Sequence, residues 1–401
     1  MQNTTQTSAL DTIVQGCVNI IDKITGADHK KWSPQQVSAI DAVRKWHKNK
    51  RSTQIFKLFG YAGTGKTTLA KEIAQEIGGN VVFACFTGKA AMVLRNKGCH
   101  GAMTIHSLIY KPYQDPKSGE IHFVLNFDSP AKYADLIIID EVSMVNEALA
   151  MDLLSFKTKV LVLGDPAQLP PVGGEGHFIK GEPDVMLTEV HRQAQENPII
   201  RLSMDIRNGI DIKPGQYGES LVLDKRKAPK EQVSSLVLAA DQLICGRNLT
   251  RQSYNARIRA LKGLVEDEKQ WKPVVGDRLV CLKNNGIKSL LNGGLWDVQS
   301  VSPKRDCTEI HAKSIDSTPS YGVDIKVHNA FFKGEEQALD WKKRRNYDEF
   351  TYGWALTCHK SQGSQWGNII IFDESYAFAE NSAKWLYTAV TRAAEKLTLV
   401  R

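Results

Sequence analysis

Between about residues 55 and 190, short apolar runs alternate with longer amphipathic stretches. Val81-Val82-Phe83-Ala84-Cys85-Phe86, Leu136-Ile137-Ile138-Ile139 and Val160-Leu161-Val162-Leu163 are each too short for a helix and rich in branched side chains. Such runs read as strands buried on both faces, and their alternation with helical stretches predicts an α/β domain with a parallel sheet. Tyr110 to Lys132 breaks the rhythm. There Pro112, Pro116, Gly119 and Pro130 surround the alternating run Ile121-His122-Phe123-Val124-Leu125, which predicts an inserted hairpin turning at DPKSG, residues 115–119.

The α/β pattern returns at Ala240–Cys245, at Asn368–Phe372 and at Leu397–Val400. Between about 266 and 350 the texture changes: GDRLVCL, GGLWDVQSV and YGVDIKV are short strands parted by Gly, Asn and Ser. That block predicts a small β-barrel-like insertion within a second α/β domain. The expected division is therefore a first domain over 32–190 with its hairpin at about 110–131. A second domain is built from 191–265 and 351–401, with the β insertion at 266–350. Residues 1–31 stand apart as an N-terminal extension in which a helix is expected.

Composition changes the picture only a little. The chain has 401 residues, 42% hydrophobic and 24% charged, which is ordinary for a globular protein able to bury sizeable cores. Its 52 Lys and Arg against 44 Asp and Glu give a net charge of +8, which permits a polyanionic partner without demanding one. Seven cysteines (Cys17, Cys85, Cys99, Cys245, Cys281, Cys307 and Cys358) include no C-x-x-C pair. An odd, scattered count argues against a disulfide framework or zinc site and for a reducing interior. No run of eighteen apolar residues exists, and the N-terminal stretch lacks the basic start and apolar core of a secretory signal. A cytoplasmic setting is expected, with no membrane partner.

The chemistry begins at Gly60-Tyr61-Ala62-Gly63-Thr64-Gly65-Lys66-Thr67-Thr68, directly behind the apolar run Ile55–Phe59. This is G-x-x-x-x-G-K-[ST] in a strand–loop–helix setting, the loop whose backbone N–H groups cradle phosphates. Lys66 would reach the β- and γ-phosphates of a nucleoside triphosphate, and Thr67 would help hold Mg²⁺. Leu136 to Ser143 then places Asp140 and Glu141 at the end of a buried strand, the first for Mg²⁺ and the second to orient and deprotonate an attacking water. Gln168, in GDPAQLPP after the next strand, falls at the same sheet edge, where open α/β sheets bind ligands. Arg192 and Arg392 lie in helix-like settings downstream; if they belong to the second domain, they would bring positive charge to the γ-phosphate across an interdomain cleft. Isolated surface arginines in ion pairs are the bland alternative.

The ordered set GYAGTGKT, TGKAA, TIHSL, DEVSM, GDPAQLPPV, LTEVHRQ, TCHKSQGSQW and YTAVTRA resembles the motifs of superfamily 1 DNA helicases, in particular the RecD-like and phage Dda-like branch that moves 5′→3′. The resemblance covers roughly residues 32–401. It implies two RecA-like domains with ATP between them, an SH3-like insertion, and single-stranded DNA lying across both. It further implies that Gln36, with Gln35 beside it, recognises adenine, and that Gly60, Gly63, Thr64, Gly65, Lys66, Thr67 and Thr68 hold the phosphates. Thr87, Lys89, Thr104 and His106 would grip DNA from the first domain, and Thr357, His359, Lys360 and Gln362 from the second. Hydroxyls, amides and lysines on strand-edge loops suit phosphates without reading sequence. The hairpin would split a fork with an aromatic from Tyr113, Phe123 or Phe127. Trp366, Tyr387 and Trp385 are further stacking candidates, with core packing their more ordinary role.

The function this implies is an ATP-dependent 5′→3′ DNA helicase acting as a monomer on single-stranded and forked DNA. A single-strand-binding or replication protein is the kind of partner implied, and replication, recombination or repair the kind of pathway, in a bacterial or phage-infected cell. Two rivals are a translocase that displaces proteins with little unwinding, and a nucleotide-gated DNA-binding or loading factor.

Overall fold

The computed structural model describes residues 32–116, 121–171, 174, 176–190, 196–317 and 319–401. The N-terminal extension, the hairpin turn at 117–120 and Arg192 lie outside the described residues.

The first helix, Pro34–Lys48, opens with a reciprocal cap: Ser33 Oγ accepts the Gln36 N–H while Gln36 Oε1 accepts the Ser33 N–H. The chain then lays down β1 (Ile55–Gly60), β2 (Val81–Cys85) and β3 (Met103–Thr104). A detached antiparallel pair follows, β4 (Tyr110–Gln114) with β5 (Ile121–Leu125), pairing Tyr113 with His122 and Pro112 with Phe123. After it come β6 (Leu136–Asp140), β7 (Val160–Gly164) and β8 (Val185–Leu187). The order β3-β2-β6-β7-β1-β8 makes a wholly parallel sheet. Its central strand β6 is apolar up to the terminal Asp140 because both faces carry packed helices: Leu136, Ile137, Ile138 and Ile139 are all fully buried.

A second sheet takes β9 (Gly215–Tyr217), β10 (Ser220–Leu223) and β11 (Gln242–Cys245). The chain leaves it through β12 (Arg278–Cys281), β13 (Leu295–Pro303), β14 (Cys307–Ser314), β15 (Gly322–His328) and β16 (Phe350–Tyr352). It returns as β17 (Ala355–Thr357), β18 (Trp366–Phe372) and β19 (Ala393–Val400). The second sheet runs β17-β11-β18-β19-β10-β9, parallel except for the β9–β10 pair. Strands β12 to β16 form a separate five-stranded antiparallel sheet, ordered β15-β14-β13-β12-β16, around Trp296, Phe331 and Phe350.

Polar anchors join this inserted sheet to its host. Arg259, on the helix Asn248–Leu261, is buried with Asp277 at 2.8 and 3.0 Å and also donates to the carbonyls of Gln270 and Lys272. A buried guanidinium is tolerated when it is paired and hydrogen-bonded, and here all three of its nitrogens donate, in four bonds. Among the described residues, no helix is long and apolar enough to cross a membrane.

Candidate functional site

Between β1 and the helix Lys66–Ile77, the loop turns through Gly63 (φ 80°) and Gly65 (φ 78°), left-handed values that glycine adopts without strain. Gly60 also allows close approach, since a Cβ there would meet Thr64 Oγ1 at 2.6 Å and Leu187 Cβ at 2.8 Å. Lys66 Nζ folds back to donate to the carbonyls of Gly60 (2.6 Å) and Tyr61 (3.0 Å). Thr64 is buried with its hydroxyl on the Tyr61 carbonyl, and Thr68 lines the cleft beyond it. Gln36 is also buried: its Nε2 donates to the Thr64 carbonyl at 3.0 Å. It therefore ties the first helix to the phosphate loop. Gln35 is bonded instead to Met186, Thr188 and Glu189 at the sheet's edge.

At the end of β6, Asp140 Oδ2 accepts the Thr67 hydroxyl at 2.9 Å. Burial, then the charge of Glu141, raises the Asp140 carboxyl above its usual range. A buried carboxylate and a hydroxyl in contact form a hard-oxygen pair suited to a small divalent cation that takes its remaining ligands from phosphate and water. Glu141 sits at φ 55°, a left-handed backbone rarely adopted by a non-glycine residue, and lines the cleft. At the end of β7, Asp165 and Gln168 line it as well. Gln168 is buried with its Oε1 unpartnered.

The opposite wall comes from the second sheet: Gly363, Ser364, Gln365, Thr391 and Arg392 complete a cleft of about 310 Å³. Arg392 is buried, with Nε on the Thr388 carbonyl, Nη1 on the Ser364 carbonyl and Nη2 on the Thr391 hydroxyl, at 3.1 to 3.2 Å. Every one of these partners is neutral. Tyr387 bridges the walls: its hydroxyl donates to Asp165 Oδ2 at 2.7 Å and accepts the Ala62 N–H at 2.9 Å. Leu169 packs into the second domain's core, where Thr388 Oγ1 accepts its N–H and Gln362 Nε2 donates to its carbonyl, both at 2.8 Å.

The predicted DNA-contacting residues divide sharply. Thr87, Thr104 and Thr357 are helix caps whose hydroxyls accept the N–H of Ala90, Ser107 and Lys360. This fixes three helix starts beside β2, β3 and β17. Lys89 departs from the expectation of a phosphate contact. It is buried, 3.2 Å from Asp316 of the inserted sheet and 4.8 Å from the Trp366 ring centre. Burial lowers its ammonium pKa, and Asp316 opposes that shift. Gln362 departs likewise: it is buried, with its amide on Leu169.

Three predicted residues do reach the surface. His106 is exposed beside Tyr110, His359 is half-buried beside Phe378, and Lys360 is exposed. Partial burial lowers both imidazoles. Although Lys360 as a whole is exposed, burial around its ammonium and then the charge of Arg251 draw it down to about 8.

Among the proposed stacking residues, Trp385 and Tyr387 are core: Trp385 is fully buried against Phe378. Tyr113 and Phe123 are exposed on the hairpin, whereas Phe127 lies past its base. Sequence reasoning missed Asp165 and the Tyr387 hydroxyl. A carboxylate directly after a buried strand, as in Gly164-Asp165, was a usable signal for the first. Nothing local marks the second.

Residues 31–217 match the family described as an AAA domain, and residues 352–400 the UvrD-like helicase C-terminal domain. Over 390 residues the chain is 27% identical to the ATP-dependent RecD2 DNA helicase of Deinococcus radiodurans, covering 92% of this chain and 48% of that one. The chain thus spans about half of that relative's length. It is 23% identical to the ATP-dependent DNA helicase Pif1 of Campylobacter jejuni, covering 85% and 87% of the two chains. Among solved structures, Pif1 helicase from Bacteroides in complex with ADP-AlF3 and ssDNA matches with a TM-score of 0.54 at 18% identity, over 92% of each chain. Pif1 helicase from Candida albicans matches at 0.52 and 16%, over 93% and 95%. These likenesses establish the fold.

Two parallel-sheet domains of the RecA type, closing on one phosphate-loop cleft, define the class as a two-domain P-loop protein. The C-terminal match is to a helicase domain and the relatives above are helicases, so the chain is similar to helicases over most of its length.

Proposed function

We propose that this protein is an ATP-dependent DNA helicase that moves 5′→3′ along single-stranded DNA and opens forked duplexes. The observation that carries the reading is Arg392. Among the described residues this buried guanidinium, at the cleft wall facing the phosphate loop, is held only by neutral oxygens and lacks a counter-anion that a γ-phosphate would supply.

In this reading the loop N–H groups and Lys66 hold the phosphates, while Thr67 and Asp140 hold Mg²⁺, which would offset charge on the β- and γ-oxygens. Glu141 orients and deprotonates the water, and Gln168 senses the γ-phosphate. Arg192 shares that charge-neutralising role with Arg392. DNA lies over the strand-end loops, with His106, His359 and Lys360 facing its phosphates. Leu169, one residue beyond Gln168 and seated in the second domain, supports direct mechanical coupling between phosphate sensing and domain closure. Single-stranded and forked DNA are the substrates, a single-strand-binding protein is a natural companion, and the protein works as a monomer in the cytoplasm or nucleoid.

The test is ATP-driven strand separation on matched duplexes carrying a 5′ or a 3′ single-stranded tail. Separation only from the 5′ tail supports the reading. Separation only from the 3′ tail overturns the polarity. If neither duplex opens while single strands still stimulate hydrolysis, the protein is a translocase without unwinding.

A further inference from the structure

The inserted sheet carries a run that the nucleotide cleft leaves unused: Trp341-Lys342-Lys343-Arg344-Arg345. Trp341–Arg344 is one helical turn, capped by Asp340, whose side chain accepts the Lys342 N–H at 3.3 Å. The nearby Glu349 is paired twice, with Lys283 at 3.7 Å and Arg344 at 2.5 Å. Lys342, Lys343 and Arg345 are exposed, and none has a carboxylate within 4.0 Å among the described residues. A surplus of positive charge therefore remains on this edge.

The same edge displays an aromatic face. Trp341 is 48% exposed, with Lys342 and Arg345 at 5.6 and 5.7 Å from its ring centre. Across from it the hairpin β4–β5 presents Phe123, 67% exposed. A groove of about 1110 Å³ separates the two, with Gln114, His122 and Phe123 on one wall and Lys283, Trp341 and Arg345 on the other. Large apolar rings left in water on both walls call for an occupant.

We propose that this groove binds single-stranded nucleic acid, its bases stacked on Trp341 and Phe123 and its phosphates seated by Arg345, with Lys342 and Lys343 adding positive charge from the same turn. Every base offers a flat face to an aromatic ring, so the site would be indifferent to sequence, and unpaired cations beside the rings suit the backbone. A duplex hides its base faces and would leave both rings unused. An acidic peptide would meet the cations but leave the rings in water. The groove lies on the hairpin and the inserted sheet, apart from the loops that carry His359 and Lys360, so it takes a second stretch of strand. The inference rests on the helicase reading for the source of that strand, one tail of an opened fork.

The test uses the full chain and the double variant Trp341→Ala/Arg345→Glu, its folding checked by circular dichroism and thermal melting. Fluorescein-labelled forked DNA with two oligo-dT tails should bind the variant about tenfold more weakly, the loss that one stacked base predicts. Hydrolysis of ATP at saturating plain oligo-dT should not change. In the wild-type protein, 4-thiothymidine in a fork tail should cross-link to the peptide holding Trp341. Unchanged fork affinity with no such cross-link overturns the groove. A wild-type protein whose ATP hydrolysis ignores DNA, while the double variant still loses fork binding, overturns the motor and leaves the groove standing.

Discussion

Gln362 donates its side-chain amide to the carbonyl of Leu169 at 2.8 Å, across the boundary between the two α/β domains. Leu169 follows Gln168, which lines the phosphate cleft; Gln362 follows the helix Cys358–Ser361, whose surface carries His359 and Lys360. One hydrogen bond thus joins the phosphate-loop cleft to the helix proposed to face DNA. Gln362→Met keeps the volume but strands a buried carbonyl, at a cost of about 1–3 kcal/mol. The expected result is ordinary nucleotide binding with DNA stimulation of hydrolysis reduced about fivefold or more. Steady-state ATPase assays across an oligo-dT titration decide it. A higher half-saturation with full maximal stimulation would instead make Gln362 a DNA contact.

Among the described residues Arg392 has no charged partner to lose, so its removal should be read in chemistry rather than in stability. Arg392→Ala is expected to keep ADP affinity near that of the parent and to lower kcat on the order of 10³-fold or more. Nucleotide titration by fluorescence, alongside ATPase at saturating DNA, separates the two effects. Hydrolysis at the parent rate would mean that Arg392 does not touch the γ-phosphate.

The parallel strands were legible because burial on both faces leaves its mark as unbroken branched apolar runs. Leu136–Ile139 and Val160–Leu163 fall inside β6 and β7. The strand–loop–helix around Gly60–Thr68 and the place of Asp140 and Glu141 at the end of β6 were legible because a fixed spacing behind a buried strand marks them. Lys89 was misread for the opposite reason. A lysine in TGKAA looks like any exposed cation, and its ion pair with Asp316, 227 residues away, leaves no local pattern. Tyr387 posed the same problem: its ring belongs to a helix core, while its hydroxyl reaches Ala62 and Asp165 in the other domain. Periodicity reports which face is buried. It does not report which polar group waits on the far side.

That ion pair gives a stability prediction. Asp316→Leu leaves the buried Lys89 ammonium without its anion and should cost about 3–5 kcal/mol. Replacing both partners with apolar residues of similar volume, Lys89→Met with Asp316→Leu, should recover most of the loss. Urea denaturation of the four proteins of this cycle measures the coupling. Equal losses in the single and double variants would show that Asp316 contributes by packing alone.

Lys360 allows a prediction in pH. Its ammonium is already drawn down to about 8, by burial first and by Arg251 second. A DNA phosphate placed against it would favour the charged form and raise that value again. Below pH 8 the side chain is protonated whether DNA is present or not, and this group adds no slope. Above pH 8 the free protein has lost the proton and the complex must regain it. Affinity should therefore fall as pH rises, by up to about tenfold per pH unit, until the pKa of the complex is passed. Lys360→Arg, charged throughout this range, should flatten that part of the profile. Anisotropy titrations with labelled oligo-dT from pH 7 to pH 9.5 at constant ionic strength supply the comparison. If the parent and Lys360→Arg lose affinity in parallel, the titrating contact is elsewhere and Lys360 does not meet the phosphate.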